Sequence, residues 1–196
     1  MRRPLIYSFI LLAILLIPYN FAFAQNVSGE VSLGVKGIKF KDIDGTKPMS
    51  SLEFGNRWNN LGVIMSLGVA NIDSDRYSVF GTTYLQEINY YPLELNVKGY
   101  LPLKGVELGA GFGVSMNYLD YTITNELTDK EVQSKTNVLF GVQGLAEIKF
   151  LFPSTSGIDA FVGIEGEYQY VGKTKTFLGD RDLSNYRLGI KLGGRF

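Results

Sequence analysis

Between Val106 and Tyr118 apolar and polar positions alternate without a break. Val106, Leu108, Ala110, Phe112, Val114, Met116 and Tyr118 share one parity; Glu107, Gly109, Gly111, Gly113, Ser115 and Asn117 share the other. A period of two over thirteen residues predicts a β-strand with one apolar face, because a helix repeats about every 3.6 residues. The same alternation runs from Val138 to Phe150, with Gln143, Glu147 and Lys149 on the other face, and from Ile158 to Tyr170, opposite Glu165, Glu167 and Gln169. It returns at the end of the chain, where Tyr186, Leu188, Ile190, Leu192 and Phe196 oppose Arg187, Lys191 and Arg195. Four earlier segments, around Val31-Leu33-Val35, Leu52-Phe54-Trp58, Val63-Met65-Leu67-Val69 and Leu93-Leu95-Val97-Leu101, complete a set of eight strands. Their expected spans are about 29–40, 51–58, 61–71, 85–101, 106–118, 137–150, 158–170 and 185–196. Two breaks of parity read as β-bulges: one at Gly37, before Ile38 and Phe40, and one at Pro92, after Ile88 and Tyr90.

The connections alternate in length. Long ones are expected at 41–50, 72–84, 119–136 and 171–184, and short ones at Asn59-Asn60, Pro102–Gly105 and Leu151–Gly157. Long, short, long, short is the signature of an all-β, eight-stranded, antiparallel up-and-down barrel with its loops sorted to two ends.

Charge then decides the solvent. The apolar parity carries no charged residue, whereas the other carries Glu30, Glu53, Glu94, Glu107, Glu147, Glu165 and Glu167 together with Lys36, Arg57, Lys98, Lys149, Arg187, Lys191 and Arg195. A lipid-facing wall excludes charge, and a narrow lumen requires that charges pair, so a seven-to-seven match points to a transmembrane barrel with a charge-plugged interior. Trp58, Phe150 and Phe196 fall at one rim and Tyr118, Tyr168, Tyr170 and Tyr186 at the other, as interfacial girdles do.

The first residues are of another kind. Arg2 and Arg3 precede an apolar run from Leu5 to Ile17, and Ala22-Phe23-Ala24 is a small-x-small site. This is the pattern of a secretory signal peptide, residues 1–24, cleaved after Ala24 to leave a barrel domain at 25–196. A thirteen-residue helix rises only about 20 Å, too little to cross a hydrocarbon core of about 30 Å.

The composition removes most chemistry. The 196 residues include neither Cys nor His, which excludes a disulfide scaffold, a thiolate zinc site, a nucleophilic Cys and the commonest general base. With 19 Lys+Arg against 19 Asp+Glu there is no basic excess for nucleic acid. Gly109-Ala-Gly-Phe-Gly113 lacks the spacing of a phosphate loop and lies mid-strand, so its glycines read as room in a crowded lumen. Glu165 and Glu167 read as lumen ion-pair partners rather than an acid–base pair, and Asp42-Ile-Asp44-Gly45 and Asp180-Arg-Asp182 as turns rather than calcium loops. Asn26-Val-Ser28 is an incidental sequon. No catalytic residue, metal site or cofactor is expected.

The last eleven residues, Tyr186 to Phe196, resemble the C-terminal strand of Gram-negative outer-membrane proteins: a terminal Phe with apolar residues at alternate positions, here Tyr186, Leu188, Ile190 and Leu192. Gly194 stands where an apolar side chain is usual. With the export signal and eight strands, the chain resembles the small outer-membrane barrel superfamily that includes the OmpA membrane domain, OmpX and OmpW. The resemblance implies recognition by the barrel-assembly machinery, outer-membrane location, both termini in the periplasm and long loops facing outward. Barrels of this architecture that act as lipid A palmitoyltransferase or deacylase rely on a catalytic His, which this chain lacks. The expectation is therefore a non-enzymatic, plugged barrel embedded among lipid and lipopolysaccharide, with four loops free for an unidentified surface ligand. The alternatives are a narrow pore or conduit for small apolar molecules, as in OmpW-like barrels, and a soluble periplasmic lipid-binding barrel.

Overall fold

The computed structural model describes residues 27–155, 157–176 and 179–196. The signal segment with Ala22 and Ala24, and Asn26 of the sequon, lie outside these residues.

The strands are β1 (Val27–Phe40), β2 (Lys47–Trp58), β3 (Leu61–Val79), β4 (Thr82–Leu103), β5 (Val106–Asn125), β6 (Lys130–Phe152), β7 (Asp159–Tyr170), β8 (Lys173–Thr176), β9 (Gly179–Asp182) and β10 (Asn185–Arg195). Eight of them close an antiparallel barrel in the order β1-β10-β7-β6-β5-β4-β3-β2; β8 and β9 form a separate small hairpin. Closure leaves no edge within the ring, which is what a sheet needs where no water is available to bond its backbone. The seam is completed by Gly29 and Phe196, whose backbones exchange bonds of 2.7 and 3.0 Å.

Strand length differs in a way the alternation did not reveal. β1, β2, β7 and β10 have 14, 12, 12 and 11 residues. That is close to the roughly 9–11 a tilted strand needs to cross a membrane. β3 to β6 have 19, 22, 20 and 23, about twice that requirement. The segments expected as loops at 72–84 and 119–136 are instead strand continuations. They end in tight turns at Phe80-Gly81 and Glu126–Asp129, so a four-stranded sheet rises beyond the ring. β2 leaves β3 at Ser50↔Val69 and β7 leaves β6 at Tyr170↔Val142, so the rising parts of β3 and β6 are open edges.

Neither expected bulge exists. Pairing of β1 runs in one register through Gly37 with both neighbours, and pairing of β4 with β5 runs in one register through Pro92. Ile38, Phe40, Ile88 and Tyr90 point inward with the charges, because the lumen itself turns from ionic to apolar toward the long-loop end. Among the described residues the register shifts in the barrel sheet lie between Asn71 and Asp73 of β3 and beside Ile123/Thr124, where β6 carries an extra residue.

The outer wall is apolar: Leu33, Val35, Phe112, Val114, Phe140, Leu188, Ile190 and Leu192 are all exposed. A soluble lipid-binding barrel requires the reverse, an apolar lumen and a polar wall. The charged interior described next overturns that reading.

Candidate functional site

Thirteen of the fourteen charged lumen residues are buried, and Arg195 is half-buried at the short-turn mouth. Each has an opposite charge within 4.0 Å. The charges form three layers. In the middle, Lys36, Lys98 and Lys191 surround Glu53, Glu147 and Glu165; Lys98 and Lys191 each lie 2.8 Å from Glu165, and Lys36 also bonds it. Toward the long-loop end, Arg187 binds Glu94 and, at 2.9 Å, Glu167. Toward the short-turn end, Lys149 binds Glu30, and Arg57 and Arg195 share Glu107 at 2.5 and 3.5 Å. A buried ion left alone costs several kcal/mol, so only a closed network of this kind is tolerable in a lumen eight strands wide.

Neutral polar groups of the same parity extend the Arg187 layer; the alternation put Gln143 and Gln169 on the lumen face, but counting charges alone left them out of the plug. Arg187 Nη2 donates to Gln169 Oε1 at 2.7 Å, Gln169 Nε2 to Gln143 Oε1 at 2.9 Å, and Gln143 Nε2 to Asn96 Oδ1 at 2.7 Å, a chain of amides across the lumen. At the short-turn end Tyr100 and Phe161 fill the bore as cation–π partners: Arg57 lies 4.2 Å and Lys149 4.7 Å from the Tyr100 ring centroid, and Lys149 4.8 Å from Phe161. Their inward parity was the available signal. Gly113 leaves space for Asn96, whose Oδ1 would lie 2.1 Å from an added Cβ, and Gly109 does the same for Glu147.

Above the ions sits an apolar cap. Ile38, Phe40, Ile43, Met49, Ala70, Ile72, Ile88, Tyr90, Leu119, Tyr121 and Leu183 form one buried cluster, with Leu139 and Val171 packed against it. Phe40 meets Tyr90 edge-on at 5.4 Å. Tyr90 joins cap to plug: its hydroxyl donates to Asn117 Oδ1 at 2.6 Å and accepts from Arg187 Nη2 at 2.8 Å.

The segment carrying β8 and β9 is tied to this cap at its C-terminal end. Leu183 plugs into the cluster, and Arg181 Nη1 reaches Asp73 Oδ2 at 3.2 Å. Lys41 Nζ binds Asp182 Oδ2 at 3.1 Å, while Asp42 accepts from the Asp182 backbone N–H at 2.7 Å. The Ser184 backbone N–H bonds Asp182 and holds its carboxyl below the usual range, and the bond to Asp182 holds the Lys41 ammonium above its own. These acids are therefore engaged as turn fasteners. Among the described residues no group of three or more Asp or Glu side chains is arranged to hold a metal ion.

The long-loop end offers exposed apolar points: Phe80 and Val79 on the β3–β4 turn, and Leu127 on the β5–β6 turn. Tyr186, Leu188, Ile190, Leu192 and Phe196 of the terminal segment all face outward from the wall.

The chain matches no protein-family model, and comparison with curated proteins finds no match. Solved structures do match. Neisserial surface protein A (NspA) is 13% identical, with a TM-score of 0.57 over 87% of this chain and 96% of that one. OprG, an outer membrane protein of Pseudomonas aeruginosa, is 13% identical with a TM-score of 0.54, over 87% of this chain and 94% of that one. Ail, the attachment invasion locus protein of Yersinia pestis, in complex with the heparin analogue sucrose octasulfate, is 16% identical with a TM-score of 0.50, over 87% and 97%. At these identities the likeness establishes the fold, that of the small eight-stranded outer-membrane barrels.

Proposed function

We propose that this chain, an outer-membrane-type barrel by fold, is a sealed and non-enzymatic display scaffold of the bacterial outer membrane. On this reading residues 1–24 direct export and are removed after Ala24. Tyr186, Leu188, Ile190, Leu192 and Phe196 present the assembly machinery with its alternating apolar signal, and the rising sheet faces outward among lipopolysaccharide to contact another surface. The observation that carries it is the double closure of the bore, an ion network below an apolar cap. A solute would have to part Phe40, Tyr90, Tyr121 and Leu183 and then cross three layers of paired charge. This supports the plugged reading over a pore for small apolar molecules.

The outward segments 41–50, 72–84, 119–136 and 171–184 carry eight bases against ten acids. A polyanion such as the sulfated sugar bound to Ail is poorly matched to that balance. The contact surface is better read as apolar and neutral.

Residues 25–196, refolded into planar bilayers after a heat-dependent gel shift confirms the barrel, should give no unitary conductance. Steady, discrete openings would overturn the sealed reading in favour of a pore.

A further inference from the structure

We propose that the tip of the β3–β4 hairpin is a lipid-insertion point with which the rising sheet grips an apposed, electrically neutral bilayer; this rests on the reading above that the sheet faces outward. From Tyr77 to Gln86 ten consecutive residues carry no charge. The turn places Phe80 and Gly81 at φ of +50° and +77°. Gly adopts this left-handed region freely and Asn tolerates it, but Phe does so under strain. Phe80 gains no packing in return, since it is 105% exposed. A bulky apolar side chain held at the outermost point of a turn that disfavours it is best accounted for by what it meets outside the molecule.

The neighbouring turn adds a second point, Leu127, 88% exposed. The two turns are fastened side by side: Arg76 Nε lies 2.5 Å from Glu126 Oε1, and the Glu126 N–H donates to Thr83 O at 3.1 Å. Just below Phe80 the rings of Tyr77 and Tyr84 stack at 5.6 Å. From the tip inward the order is apolar, then tyrosine, then charge. The wall of the barrel repeats it at its own rim, from Ile190 and Leu188 to the Tyr168–Tyr186 pair, and that is the order of a membrane interface. A convex tip offers no groove for a peptide. Around it Glu87, Glu126, Asp129 and Glu131 outnumber Arg76 and Lys130, so attraction to anionic lipid is not the driving force.

The test uses the full barrel in nanodiscs, with Phe80→Trp placed in a Trp58→Phe background so that one indole reports the tip. Vesicles of pure phosphatidylcholine should shift its emission to the blue. In flotation the parent should bind such vesicles, and Phe80→Asn should bind about tenfold less while keeping the heat-modifiable band of the folded barrel. An unmoved emission, or Phe80→Asn binding as well as the parent, overturns the proposal. So does a shift seen only with vesicles that carry membrane proteins, which would assign the tip to a protein pocket. Conductance distinguishes the two readings: a folded barrel that conducts defeats the sealed scaffold and leaves the tip result standing, whereas a silent barrel with an unmoved tip defeats the tip alone.

Discussion

Glu165 stands where three lysines converge, those of Lys36, Lys98 and Lys191. Replacing it with Gln keeps the shape and removes the charge that the ammonium groups share. Glu165→Gln should therefore destabilise the barrel by about 3–5 kcal/mol, the cost of leaving buried ions short of a partner, in urea unfolding from lipid vesicles. A change below about 0.5 kcal/mol would mean that water enters the lumen and screens the lysines. Val114 is the opposite case, an exposed residue on the apolar wall. In water an exposed Val→Arg change would be nearly silent; at the midplane of a bilayer it costs about 2–4 kcal/mol. Val114→Arg should show that loss in the same assay, and Val114→Leu should not. Equal tolerance of both would remove lipid from the picture.

At the scale of elements, strand length divides the molecule in two. The residues of β3 to β6 nearest the short turns pair within the closed ring, and the remainder pair only with one another. The open edge of β6 carries Lys130, Glu131 and Lys135, the kind of charge that keeps an unpaired edge from recruiting another strand. The β8–β9 segment is fastened differently, by the Lys41–Asp182 pair and the backbone bonds around it. Because the Asp182 carboxyl is held below its unfolded value, its contribution is present above about pH 4 and is lost as pH falls through the folded value. Hydrogen exchange of residues 179–184 should therefore accelerate below about pH 4 while the ring of barrel strands stays protected. Uniform protection at pH 3 would show that Leu183 in the cap, not the ion pair, holds the segment down.

For the whole molecule, the ordering of polarity is inverted relative to a water-soluble domain: ions inside, hydrocarbon outside. The ion network and the apolar cap lie in series along the bore, so the silence expected of the barrel in a bilayer belongs to the whole bore and not to one residue. Loss of a single lumen charge leaves the apolar cap in place, and loosening of the cap leaves three layers of ion pairs. An apolar belt, a bore filled by ions and an apolar cap, and a rising sheet with an uncharged tip are the features on which the proposed display role rests.

The alternation of side chains by itself determined eight strands, their order up and down the ring, which face meets lipid and which fourteen charges share the lumen. It could do so because a strand has a period of two and a bilayer forbids charge on one face. What it could not determine was where each strand stops. Ile72, Ile88, Leu119 and Tyr121 continue the strands inward, but apolar residues entering a charged face looked like bulges or loops. Only the closed structure decided that these residues meet one another, with Ile38, Phe40 and Leu183, in a cap. That cluster joins side chains from segments far apart in the chain, and a one-dimensional pattern holds no record of which distant residues share a layer of the bore.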